Sequence, residues 1–68
     1  MENYEIVVKG HINERRVSLF ERVKVEYLPS GVTHITAQVK DQAELFSILT
    51  QIRDMGIPLL KLEQTGKE

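Results

Sequence analysis

With 68 residues, 28% of them charged, and a formal net charge of −1, the chain reads as one small domain, residues 1–68, with no basic field to draw it to nucleic acid or an anionic membrane. The absence of cysteine excludes a disulfide framework and a thiolate nucleophile, and no Cys/His set has zinc-site spacing. A chain this short buries only about 60% of the surface its unfolded state exposes, so burial against a second copy is an expected supplement.

The start, Met1-Glu2-Asn3-Tyr4-Glu5, is acidic and has neither the basic region nor the apolar run of a signal peptide. No apolar stretch approaches membrane-spanning length. A cytoplasmic location and no membrane partner are expected.

From Tyr4 to Gly10 the residues alternate: Tyr4, Ile6 and Val8 on one side, Glu5, Val7 and Lys9 on the other. That period and the β-branched content predict a strand, closed by a glycine able to take conformations other residues avoid. Asn13 to Phe20 supports two readings. Asn13 as N-cap, with Val17 and Phe20 on one face, gives one or two helical turns; an extended connection or an irregular strand is the alternative.

Arg22 to Leu28 alternates again, Val23, Val25 and Tyr27 against Lys24, Glu26 and Leu28. Pro29-Ser30-Gly31 is a turn signal, and Val32 to Val39 returns with Ile35, Ala37 and Val39 apolar. The two runs predict a β-hairpin. A helix follows over about 42–55. Asp41 stands at its N-cap with Glu44 three residues on, and Leu45, Ile48, Leu49, Ile52 and Met55 recur at core-facing spacing with Phe46 beside them. Gly56 suits the stop and Pro58 forbids continuation. Leu59 to Gln64 is predicted as a last strand, and residues 65–68 as a flexible tail.

This order predicts an α+β domain of the ferredoxin-like β-α-β-β-α-β type, with a short or degenerate first helix. Its antiparallel four-stranded sheet has spatial order 4-1-3-2 and is covered on one face by the helix. A plain meander with one helix is the competing architecture. In the first arrangement the open face carries Glu5, Val7, Lys9, Lys24, Glu26, His34, Thr36, Gln38, Lys61 and Glu63. It is polar enough to meet water.

Tyr4, Glu5, Ile6, Val8 and Gly10, followed by Asp41, Gln42, Ala43, Leu45, Leu49, Ile52, Asp54, Gly56, Leu59 and Leu60, form a recognisable pattern. On these residues the chain resembles a family of short, mostly uncharacterised bacterial proteins. They pair an early Y-E-I-x-V-x-G-like strand with a later D-Q-A-x-L-x-x-x-L-x-x-I-x-D-x-G-x-x-L-L-like block. The resemblance covers about half the chain, leaves 13–38 aside, and implies no activity or site residues.

Four groups of residues bear on function. His11 and His34, both on the outer face by strand parity, are the candidate metal or pH-sensing pair, set against two separate exposed histidines. Gly10, His11, Asn13, Arg15 and Arg16 are the candidate ligand-binding loop, through a resemblance in topology to ACT-like small-ligand sensors that bind at a subunit interface. Arg15, Arg16, Arg22 and Lys24 are interleaved with Glu14 and Glu21 and read as a self-neutralised patch. A sheet-based RNA reader would need aromatics where the central strands offer Val7, Lys9, Thr36 and Gln38. Leu59, Leu60 and Leu62 are candidate interface residues on an edge strand, and Val7, Leu28 and Leu59 a candidate apolar patch on the open face.

Catalysis has little footing. Ser18, Ser30 and Ser47 lack a serine–histidine–acid context, and Asp41 and Glu44 are accounted for as capping groups. The expectation is a non-enzymatic module without cofactor that forms a homodimer or takes another protein partner. An ACT-like sensor is the alternative, and a nucleic-acid accessory protein the third reading.

Overall fold

The computed structural model describes residues 1–12 and 22–67, with the backbone alone at Lys67. It comprises β1 (Glu2–Lys9), β2 (Val23–Tyr27), β3 (Val32–Val39), α1 (Gln42–Asp54) and β4 (Leu59–Lys67). The domain is α+β, an antiparallel four-stranded sheet with one helix among the described residues. The hydrogen-bonded order is β2-β3-β1-β4, so β1 and β3 are central, as expected. Each neighbouring pair is antiparallel. β1 and β2 therefore run in the same sense on either side of β3, and β3 and β4 do so on either side of β1. The helical or extended segment considered over Asn13 to Phe20 lies outside the described residues.

Strand alternation sorts the sheet into two faces. Tyr4, Ile6 and Val8 of β1 stand opposite Ala37, Ile35 and Thr33 of β3. All six are buried, and with Val39 they form the floor of the core. Thr33 is the one polar side chain there, and its hydroxyl donates to the Gly10 carbonyl, so burial leaves it satisfied. α1 covers this floor with Leu45, Ile48 and Ile52, all buried. Val23 and Val25 of β2, with Leu49, Met55 and Ile57, pack around the rim. Phe46, one residue off the apolar stripe, is exposed.

The helix begins as its sequence dictates. The Glu44 N–H donates to Asp41 Oδ1 at 2.9 Å, and Glu44 Oε1 accepts from the Lys40 N–H at 3.2 Å. This is a capping box whose return arm reaches one residue further back than the usual N-cap amide. At the other end Gly56 takes a φ of 71°, the left-handed conformation that stops helices, and its N–H donates to the Arg53 carbonyl at 2.9 Å. The hairpin turn is built the same way. Gly31 has a φ of 82° and donates to the Leu28 carbonyl at 3.1 Å, and Leu28 donates to Val32 O at 2.9 Å.

β4 departs from the expected strand in two respects. It runs to Lys67, past Gln64, where a flexible tail was expected from residue 65. The cause is β1, which begins at Glu2 and so offers partners to Gly66 and Lys67 through Asn3 and Glu2. A side-chain bond from Gln64 Nε2 to Glu2 Oε1 at 3.2 Å adds to that end. β4 is also bulged twice. Val7 pairs with Lys61 but Val8 with Leu59, so Leu60 is an extra residue; Asn3 pairs with Gly66 but Tyr4 with Gln64, so Thr65 is another.

Candidate functional site

The core-facing side of the sheet is covered unevenly. Over β1 and β3 it is sealed by α1, and β2 lends the half-buried Val23 and Val25. β4 adds nothing to the buried core. Leu59, Leu60 and Leu62 remain 47%, 53% and 41% exposed. Leu62 stands opposite the buried Ile6, so it lies on the helix side of the sheet but beyond the helix's reach.

Next to these leucines is a cleft of about 290 Å³ lined by Leu49, Ile52, Arg53, Ile57 and Leu59. The chain creates it at the point where it leaves α1. The left-handed Gly56 turns the backbone, Pro58 fixes the next step, and the Pro58 carbonyl accepts from the Lys9 N–H at 3.0 Å, docking the start of β4 beside β1. Ile57 is left half-buried between helix and strand. The result is an apolar channel running into an exposed, apolar strand edge, with Arg53 as the charged group in its lining.

The opposite face of β4 is charged. Glu5 on β1 receives Lys61 Nζ at 2.9 Å on one oxygen and His34 Nε2 at 3.1 Å on the other. Lys61 also lies 3.8 Å from Glu63. The Lys61 hydrogen bond, against a desolvation cost, holds the Glu5 carboxyl below the usual carboxylate range, with smaller help from the charges of Lys61 and His34. Glu5 in turn holds the Lys61 ammonium above the usual lysine range. By register Glu5 stands directly opposite Glu63, so the two carboxylates face each other across β1 and β4 with Lys61 set diagonally between them.

The expected site residues are distributed as follows. Leu59, Leu60 and Leu62 come together on β4. Val7, Leu28 and Leu59 do not form one patch. Val7 lies on the open face between His34 and Lys61, the bulge at Leu60 leaves Leu59 lining the helix-side cleft, and Leu28 follows β2 at the far edge. His34 takes Glu5 as its partner, whereas the His11 ring tilts against Tyr27 with centroids 5.1 Å apart. Strand parity does not extend to His11, because β1 ends at Lys9 and Gly10 turns the chain at a φ of 93°. Among the described residues no group of three or more His, Cys, Asp or Glu is placed to hold a metal ion.

In the candidate ligand loop, Gly10 is already engaged within the fold: its N–H donates to Gly31 O at 2.7 Å and its carbonyl receives Thr33. Tyr27 Oη donates to Ile12 O at 3.1 Å, and Ile12 is buried. Asn13, Arg15 and Arg16 lie outside the described residues. No helix among the described residues is long and apolar enough to cross a membrane.

Sequence reading missed the cleft, whose signal was Ile57, an apolar residue between helix stop and proline. It also missed the Glu5–Lys61 bridge, which depends on a register between strands far apart in the chain. A family model described as Domain of unknown function (DUF8691) matches residues 3–63. No curated protein and no solved structure matches the chain.

Proposed function

The chain belongs to the family of the Domain of unknown function (DUF8691), and since that membership brings no activity with it, we propose from the geometry that this is a small non-enzymatic interaction module that self-associates through the β4 edge. The observation that carries the reading is the exposure of Leu59, Leu60 and Leu62 on an edge strand that opens into the cleft at Leu49, Ile52 and Ile57. An unpaired strand offers backbone donors and acceptors to another strand, and its side chains here offer apolar surface to match. The small size of the domain points the same way, since a second copy supplies the burial that one core of this length lacks.

For the fold itself we propose, as the finer reading, a ferredoxin-like arrangement of the four strands. The support is the matched sense of β1 and β2 around β3, and of β3 and β4 around β1.

Light scattering coupled to size exclusion, run over a wide concentration range, tests self-association. The expected result is twice the chain mass, reverting to the single-chain mass in Leu62→Asp while the circular dichroism spectrum keeps its folded form. A single-chain mass for the parent at every concentration would refute the proposal.

A further inference from the structure

We infer that the second copy joins in one register: β4 pairs antiparallel with its partner's β4 about a two-fold axis through Leu62, placing Lys61 of each copy opposite Glu63 of the other. The inference rests on the self-association reading and goes further, because it fixes which residues meet.

The register follows from geometry and charge. A two-fold axis perpendicular to a continuous sheet keeps each face on its own side, so residues directly opposite must share a face. With a period of two along the strand, the axis must then pass through a residue and not between two. Between the bulges at Leu60 and Thr65, the regular run of β4 is Lys61, Leu62, Glu63 and Gln64. An axis at Lys61 sets Lys61 against its own copy, and one at Glu63 does the same for Glu63. Like charges directly opposite are destabilising. An axis at Gln64 pairs Glu63 with Thr65 and Lys61 with Lys67. Only the axis at Leu62 sets opposite charges against each other, twice, and sets Leu62 against Leu62 on the helix side.

The single chain contains an imbalance that this register corrects. Glu63 stands directly opposite Glu5 on β1, and the cation paired with it among the described residues, Lys61, is 3.8 Å away and bonded more closely to Glu5 at 2.9 Å. In the paired state the partner's Lys61 arrives on the free side of Glu63. Each Lys61 then lies between Glu5 on its own β1 and Glu63 across the interface. On the other face the two Leu62 side chains, 41% exposed in the single chain, cover each other. Leu60 is brought opposite Gln64.

Charge exchange tests the register. Glu63→Lys makes both cross-pairs Lys–Lys, and Lys61→Glu makes both Glu–Glu. Each variant alone is expected to dimerise roughly tenfold more weakly than the parent, and an equimolar mixture to form the heterodimer at parental strength. Lys61→Glu also removes the bond to Glu5, so its melting temperature is measured alongside; Glu63→Lys leaves that bond in place and stands as the independent variant. A second measurement uses the cysteine-free background. Under mild oxidation Leu62→Cys is expected to cross-link to itself, since facing residues at a two-fold strand pair have Cα atoms about 4.5–5.5 Å apart, within disulfide reach. Leu60→Cys and Gln64→Cys are expected to cross-link when mixed and not when alone. A dimer in which the charge variants bind at parental strength, or in which Leu62→Cys stays reduced, overturns this register and leaves self-association standing. A parent that never dimerises overturns both.

Discussion

Lys61 Nζ lies 2.9 Å from Glu5 Oε1, tying edge strand β4 to central strand β1 on the open face of the sheet. The pair has a defined pH signature. Because Glu5 is held below the usual carboxylate range, its contribution is full above the range where an unfolded carboxyl titrates and is lost as pH falls through the folded value. Because Lys61 is held above the usual lysine range, its contribution is full below the range where an unfolded lysine titrates and is lost as pH rises through the folded value. The melting temperature is therefore expected to fall at both extremes, with Glu5→Gln showing a shallower acid limb than the parent. Both side chains are solvated, so the effect is small and shrinks further in high salt. An acid limb of equal steepness in Glu5→Gln would count against the bridge.

The cap of α1 gives a second measurable quantity. Asp41→Ala removes the acceptor that holds the Glu44 N–H, and urea unfolding is expected to show a loss of about 1 kcal/mol. Asp41→Ser, which keeps an acceptor at the same place, should retain most of the parental stability. Equal losses in the two variants would show that the bond itself is not what matters.

Position along the apolar stripe separates Ile48 from Phe46. Ile48 is buried at the centre of the helix–sheet contact, and Ile48→Ala is expected to cost about 2–5 kcal/mol. For a domain of this size that approaches the whole stability, taken at roughly 0.05–0.15 kcal/mol per residue. Phe46 is exposed on the outer side of α1, and Phe46→Ala should stay within about 0.5 kcal/mol of the parent. Denaturation midpoints of the two variants decide the ranking.

The histidines allow a metal test. Since His34 bonds Glu5 and His11 lies on Tyr27, zinc or nickel is expected to leave the melting temperature of the parent and of His11→Ala alike. Metal-induced stabilisation that disappears in His11→Ala would restore the two-histidine site. The same thermal-shift assay with amino acids and nucleotides is expected to show no stabilisation, which separates an interaction module from an ACT-like sensor.

The elements legible in the sequence were those whose signals are local. Asp41, Glu44, the Leu45–Ile48–Ile52 stripe and Gly56 lie within one helix and specify its ends and its buried face without reference to anything else. Pro29-Ser30-Gly31 fixes the β2–β3 hairpin in the same way. The β4 leucines were recognised as apolar residues on an edge strand, which their composition and position convey. What escaped depended on long-range register. Alternation assumes a constant period, so an extra residue at Leu60 left Leu59 on the helix side, and no pattern in Leu59-Leu60-Lys61-Leu62 announced it. Likewise Gly10 ended the parity that was carried forward to His11. The cleft arises only when Ile57 and Leu59 are folded back against Leu49 and Ile52, and the Glu5–Lys61 bridge only when β1 and β4 are aligned.

The two bulges in β4 also set a limit on stoichiometry. A bulge bends a strand and increases its twist, so the flat part of this edge is the short run Lys61–Gln64. One incoming strand uses that run completely. The edge left over on each copy is β2, five residues long, entered from Arg22 at a φ of 63° and closed by the Pro29 turn. Short, interrupted edges of this kind do not template further strands. Under the proposed pairing the sheet is therefore expected to close at two copies, and raising the concentration should fill the paired state without drawing the protein into fibres.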